Sequence, residues 1–276
     1  MIKAINVWTV PQDVTFPEMF ETLSAHGFEA VELNIDEVGA SAHSLTLDMT
    51  QEELMDIHAL SRKHSVAICS ICTALHGDTL GCADEAENER GKEIIRTQLR
   101  FARVLGAGNA LVALGGFSET QSLAAAYARA HDVLRSMKSE IEGQPVTVGI
   151  ENANEFFTSP FDLKRFIDEL DIKNVGAYLD LGNVLFFMYM FPEHWVEVLG
   201  NCIVNVHVKD YLKLRWSEGV FVPLLTGNVP FERAIPALKK VGYDGPLVAE
   251  LPGMMQKTPD FLYSVTKQAL DIFCAY

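Results

Sequence analysis

Eight times along this chain, a short apolar run rich in β-branched residues is followed by a stretch with helical spacing. The strand-like runs are Ile2–Val10, Ala30–Ile35, Val66–Ala74, Asn109–Leu114, Pro145–Ile150, Val175–Leu179, Ile203–Val208 and Leu247–Ala249. Between and after them the predicted helices are Phe16–Gly27, Thr50–His64, Ala83–Leu105, Ser122–Ile141, Pro160–Leu170, Val184–Trp195, Phe231–Val241 and Asp260–Tyr276. Local signals mark their ends. Thr50-x-x-Glu53 is a capping box, Ser159-Pro160 opens a helix, and Gly27 and Gly242 stop one. Strict βα alternation requires a parallel sheet, and eight units close into a (β/α)8 TIM barrel, a single α/β domain over residues 1–276. A doubly wound open sheet is the competing fold. It usually carries a glycine-rich first turn, and Thr9-Val10-Pro11-Gln12-Asp13 has no glycine.

Charge and cysteines narrow the class. The net charge of -15 repels phosphate backbones and anionic membranes, so neither nucleic acid nor a membrane is expected as a partner. No apolar run approaches the roughly 18–20 residues of a membrane span, and the N-terminus reads as a first strand, not a signal peptide. Five cysteines are an odd number and point to a reducing cytoplasm. Cys69-Ser-Ile-Cys72 has redox spacing but lies inside a strand-like run. Residues three apart on a regular strand face opposite ways, and a redox pair needs a helix N-terminus, so core thiols are expected.

In a barrel, the C-terminal ends of the strands converge on one mouth. Four consecutive strands end in a ligand-type residue: Glu151, Asp180, His207 and Glu250. Each alone is as well explained as a polar strand end capped by a helix N-terminus. Four at equivalent positions predict a site for one divalent metal, because carboxylates so crowded repel one another without a cation or a shared proton. Three carboxylates and an imidazole suit Mn foremost, with Mg, Co or Zn as alternatives. Such an ion can chelate a sugar carbonyl and its neighbouring hydroxyl and stabilise the enediolate left by proton loss. Glu151 and Glu250, on strands five and eight, would then serve as the acid/base pair on opposite faces of one carbon.

With these residues in place, the chain resembles the xylose isomerase-like barrel superfamily of sugar phosphate isomerases and epimerases. The matching stretches are Gly149-Ile-Glu-Asn152, Leu179-Asp-Leu-Gly-Asn183, Val206-His-Val-Lys-Asp210, Val229-Pro-Phe231 and Gly242-Tyr-Asp-Gly-Pro-Leu-Val-Ala-Glu250. The resemblance implies metal ligands at Glu151, Asp180, His207 and Glu250, proton transfer by the two glutamates, and a ketose or ketose-phosphate 3-epimerase. Asp180-x-Gly-Asn183 and His207-Val-Lys-Asp210 together resemble most the pentulose and hexulose phosphate 3-epimerase branch; Asn183 stands where many free-ketose epimerases carry histidine, so it would contact substrate by hydrogen bonding. Leu225-Thr-Gly227 replaces the Gly-acidic-Gly turn common in the family.

Further substrate contacts are expected from His76, directly after strand three, from Glu32 inside strand two, and from Lys209. Lys209, Lys213 and Arg215 form a basic cluster able to hold a phosphate or sugar hydroxyls. The competing reading makes His76 a core histidine and Lys209 an ion-pair partner of Asp210. Trp8 and the aromatic run Val184–Trp195 read as apolar walls of a sugar pocket or as a contact in a homo-oligomer, dimer or tetramer, with ordinary helix core as the alternative. The rival activities are an inosose-type dehydratase on the same metal site, a barrel endonuclease of the abasic-site type, and a non-catalytic sugar-binding relative. The endonuclease wants histidine where Asn183 stands and a basic surface; the non-catalytic relative is at odds with retention of all four ligand positions.

Overall fold

In the computed structural model, described for residues 1–154, 156–188, 190–215 and 218–276, eight parallel strands close into a barrel. We number the barrel strands β1 (Ile2–Asn6), β2 (Ala30–Ile35), β3 (Ala67–Thr73), β4 (Asn109–Val112), β5 (Thr147–Glu151), β6 (Val175–Asp180), β7 (Ile203–Val208) and β8 (Pro246–Ala249). Each pairs with its neighbours in sequence, and β8 closes on β1 with Ile2 opposite Pro246 and Ile5 opposite Ala249. This is the expected (β/α)8 TIM barrel, and the open doubly wound sheet is excluded.

The helices form where local chemistry asks for them. Thr50 and Glu53 cap each other reciprocally at the start of Gln51–His64. Ser159 accepts from the Asp162 amide at the head of Pro160–Leu170. Two expected helices are interrupted. Ser122–Ile141 divides into Leu123–Ser136 and Lys138–Glu142, and the aromatic stretch divides into Leu181–Met188 and Pro192–Leu199. The second break falls before Pro192, whose fixed φ and missing N–H favour the first position of a new helix.

Apolar side chains fill two different spaces. The larger core lies between sheet and helices and includes Val31, Leu33, Ile35, Phe166, Leu179, Val206 and Phe273. Inside the barrel, Ala4, Ala30 and Val248 form a small cluster with Cys69. Two residues further along their strands come Asn6, Glu32 and Glu250, so the interior turns polar towards the mouth.

Strand β3 departs from regular alternation. Val31 pairs with Ile68 but Glu32 with Ser70, so β3 carries one extra residue, a β-bulge. The expected opposition of Cys69 and Cys72 is thereby lost. Cys69 packs on the inner alanine cluster, and Cys72 packs with Leu111 and Tyr178 nearer the mouth. Both are free thiols, and burial raises the pKa of each, as befits core thiols rather than a redox pair.

A two-stranded antiparallel ribbon, Asp210–Arg215 and Glu218–Val222, leaves β7 before the next helix. It was not foreseen from sequence. No helix among the described residues is long and apolar enough to cross a membrane.

Candidate metal centre and sugar pocket

Asp180 is both a helix cap and a member of the site. Its Oδ1 accepts from the amides of Gly182 (2.8 Å) and Asn183 (2.9 Å), at the N-terminus of Leu181–Met188. That leaves Oδ2 pointing into the mouth. The Asn152 side chain holds the same strand end, accepting from the Asp180 amide (2.7 Å) and donating to its carbonyl (3.0 Å). The Glu-Asn and Asp-Leu-Gly-Asn motifs thus lock each other across β5 and β6. Gly182 has a steric reason: a Cβ there would lie 2.6 Å from Lys209 Cβ and 2.9 Å from its carbonyl oxygen.

Around Asp180 Oδ2 the other expected ligands converge. One ligand atom each from Glu151, Asp180, His207 and Glu250 lies within 4.8 Å of all the others, and all four residues are buried. His207 Nδ1 is 3.0 Å from Glu250 Oε2, 3.4 Å from Glu151 Oε1 and 3.8 Å from Asp180 Oδ2. Three donor atoms, Asp180 Oδ2, His207 Nδ1 and Glu250 Oε2, are buried without an aligned hydrogen bond. Buried polar atoms are seldom left so. Hard oxygen donors with one imidazole, converging with unused lone pairs, fit a divalent cation.

Lys209 supplies the compensating charge beside them. Its Nζ is 2.7 Å from Glu250 Oε2 and 3.0 Å from Asp180 Oδ2, at ion-pair distance, and lies over the Phe221 ring. Its partners are the ligand carboxylates and not Asp210. Asp210 instead accepts from the amides of Tyr211, Gly227 and Val229, which shapes the turn at Leu225-Thr-Gly227.

The two glutamates titrate in opposite directions. Burial pushes the Glu151 carboxyl up, and the Asp180 charge adds to it. Burial acts on Glu250 in the same sense, but Lys209 and His207 outweigh it and hold the carboxyl at about 2.

Glu32 is corrected from substrate contact to support. It is fully buried and accepts from Asn6 Nδ2 (2.7 Å), from the Tyr178 hydroxyl and from His207 Nε2 (2.6 Å). With Nε2 held by Glu32, Nδ1 is the nitrogen that faces the ligand cluster. Burial would raise the Glu32 carboxyl, but His207 and the three hydrogen bonds hold it below its usual range. The polar interior continues through Asn205, which donates to the Tyr178 hydroxyl (3.0 Å). His76 is corrected in the same way. It is fully buried, its Nε2 bonds Gln98 (2.8 Å), and Gln98 in turn donates to the Ile71 and Leu111 carbonyls. Neither Glu32 nor His76 lines the cavity.

That cavity, of about 420 Å³, opens beside the ligand cluster. Trp8, Asn183 and Lys209 line it, with Phe186 and Phe187 from the aromatic run. The Trp8 indole N–H donates to Asp36 (3.0 Å), which fixes the ring on the wall. Val184 and Trp195 belong instead to the core, and Tyr189 lies outside the described residues. Sequence reasoning missed Asp78 and Phe221 on the wall, and Asn6, Tyr178 and Asn152 behind the ligands.

A model of the xylose isomerase-like TIM barrel family matches residues 20–265. The chain belongs to this family. The L-ribulose-5-phosphate 3-epimerase UlaE of Salmonella typhi is 28% identical over 231 residues, which span 82% of this chain and 78% of that protein. Among solved structures, a D-tagatose 3-epimerase-like protein superimposes with a TM-score of 0.80 at 20% identity, over 100% of this chain and 99% of its own. The IOLI protein, determined with a bound zinc atom, gives a TM-score of 0.82 at 16% identity, again over 100% and 99%. These two likenesses carry the fold. Together the family and the buried carboxylate–histidine cluster put the chain among the sugar isomerases and epimerases of this superfamily.

Proposed function

We propose that the protein is a divalent-metal-dependent ketose or ketose-phosphate 3-epimerase. The observation that carries this reading is the pair Glu151 and Glu250, brought to one ligand cluster from β5 and from the end of β8, with burial raising the first carboxyl while Lys209 and His207 lower the second. Glu151, Asp180, His207 and Glu250 would hold the ion, Mn foremost, with Mg, Co or Zn as substitutes. Bound there, it supplies Lewis acidity that lowers the barrier to proton loss beside a carbonyl.

The chain's own residues do the rest. Glu250, held as the anion, takes the proton from the substrate carbon. The electron pair passes into the adjacent carbonyl, and the carbon becomes planar. Glu151, whose carboxyl burial pushes up, returns a proton to the opposite face and inverts the centre. Lys209 keeps Glu250 charged, and Asn183 offers its amide both to Glu151 (3.4 Å) and to a sugar hydroxyl. The aromatic walls exclude water from the carbon while it is planar. The free thiols and the charge balance accord with a cytoplasmic enzyme, and we keep a homo-oligomer, dimer or tetramer, as part of the proposal.

Incubation of Mn-loaded protein with ketoses in heavy water tests the reading. Recovered ketose should carry one deuterium at C3, in both epimers. Formation of an ultraviolet-absorbing enone product would instead identify an inosose-type dehydratase. Glu151→Gln and Glu250→Gln should each lose turnover by about 10²–10⁴-fold with the fold intact; full activity in either removes that residue from the acid/base pair.

A further inference from the structure

The cavity carries a charge pattern that bears on its substrate. Its wall includes the carboxylates of Glu151, Glu250 and Asp78. Among the described lining residues, Lys209 is the one ammonium or guanidinium group, and it is spent between Asp180 and Glu250. Its stem is also fixed, because Gly182 packs directly against its Cβ. Away from the ligands, the wall includes Trp8, Leu111, Phe186, Phe187 and Phe221, with Thr73, Asn154 and the exposed Asp78 among them.

The remaining members of the basic cluster lie outside. On the ribbon, Tyr211 pairs with the wall residue Phe221, Lys213 with Gly219 and Arg215 with Glu218. At about 3.3 Å per residue, Lys213 and Arg215 are roughly 7 and 13 Å further along, away from that wall pair. Both are exposed, and neither lines the cavity.

We propose that this site takes an uncharged ketose and discriminates against the corresponding phosphate ester. The inference rests on the epimerase reading above and narrows it. A phosphate dianion drawn between these half-buried rings would lose part of its hydration and meet the exposed Asp78 carboxylate, and among the described lining residues no cation is left to pair it. Hydroxyl groups face no such cost. They find Asn183 and the Asp78 carboxylate, and the C–H faces of a sugar pack on the rings. The bound ion does not reverse the balance. Asp180, Glu250 and Asp78 would already match its two positive charges and that of Lys209. The inference thereby separates this chain from the phosphorylated substrate in the name of its Salmonella relative.

The test is kcat/KM of the Mn-loaded protein on pentuloses and hexuloses and on their terminal phosphate esters, at matched ionic strength and free Mn. The free ketose should exceed its ester by about 100-fold or more. Asp78→Asn keeps the acceptor for the Gly116 amide (2.8 Å) and removes the charge, so it should raise kcat/KM for the ester several-fold and narrow the ratio. An ester turned over as well as, or better than, the free ketose overturns this inference and leaves the epimerase reading standing. An unchanged ratio in Asp78→Asn overturns the charge argument. A folded, Mn-loaded protein that turns over neither class overturns both readings.

Discussion

Replacing Glu32 by glutamine should weaken metal binding from a position that touches no ligand-facing atom. Glu32 accepts three hydrogen bonds, from Asn6, Tyr178 and His207, in a fully buried space. Glutamine matches its shape but offers one oxygen and one amide. If the oxygen keeps His207 Nε2, the amide confronts the Tyr178 hydroxyl, which already accepts from Asn205. Tyr178 then loses its acceptor. If the amide turns to His207 instead, the imidazole loses the partner that keeps the proton on Nε2. Loss of one hydrogen bond to a charged acceptor costs about 1.5–3 kcal/mol. For a chain of this size that lowers Tm by roughly 3–8 °C. Support residues behind a metal-bound histidine typically contribute about 10- to 100-fold in affinity, equivalent to about 1.4–2.8 kcal/mol. Two measurements separate the effects: calorimetric unfolding of the metal-free protein, and titration of Mn²⁺ followed by the paramagnetic resonance of the free ion. Nitrogen-15 spectra of His207 should show Nε2 protonated and Nδ1 as the metal-sensitive nitrogen. Unchanged Mn²⁺ affinity in a folded Glu32→Gln protein, or coordination through Nε2 in the parent, refutes the reasoning.

Other consequences follow from the same geometry. His76 is buried neutral, with its pKa lowered by burial from 6.5 to about 4. Because the folded value is the lower one, the unfolded chain takes up the proton first. Stability should therefore fall as pH drops through this window, by up to about 1.4 kcal/mol per pH unit and about 3 kcal/mol in total, and it should be flat in this respect above about pH 6.5. Urea unfolding at several pH values should show a shallower acid slope in His76→Gln; an identical slope would remove His76 as its source. Gly182→Ala forces a methyl group against Lys209, so we expect a loss of about 1–3 kcal/mol, read as a lower Tm, together with weaker Mn²⁺ binding through displacement of Lys209 and the Asp180 loop. A Tm within error of the parent would show that strand β7 can shift to make room.

The expected metal ligands were legible because each sits at a strand end, where an apolar run breaks off at Glu151, Asp180, His207 or Glu250. Period and position are local properties, and a barrel converts them into proximity at its mouth. The misplaced contacts fail for the complementary reason. Glu32 and His76 also sit in or after strands. Whether such a side chain opens to the cavity or turns behind the ligands depends on partners far away in sequence. Glu32 meets a histidine 175 residues distant, and nothing near either residue announces the pairing. The faces of Cys69 and Cys72 depended on one extra residue in β3, visible only against the register of β2. The ribbon of Asp210–Arg215 and Glu218–Val222 has no counterpart among the expected elements, and Phe221 on it lines the pocket.

Hydrophobic period and strand polarity act over a few residues, so the chain alone carries the eight-fold alternation, the closure it demands and the four polar strand ends. Contacts between distant strands settle which polar groups face the cavity, which nitrogen of His207 turns to the ligand cluster, and that Lys209 pairs with Asp180 and Glu250 rather than with Asp210. Those outcomes depend on distances between separate strands. Such distances arise when the barrel closes and the cost of burying each charge selects its partner.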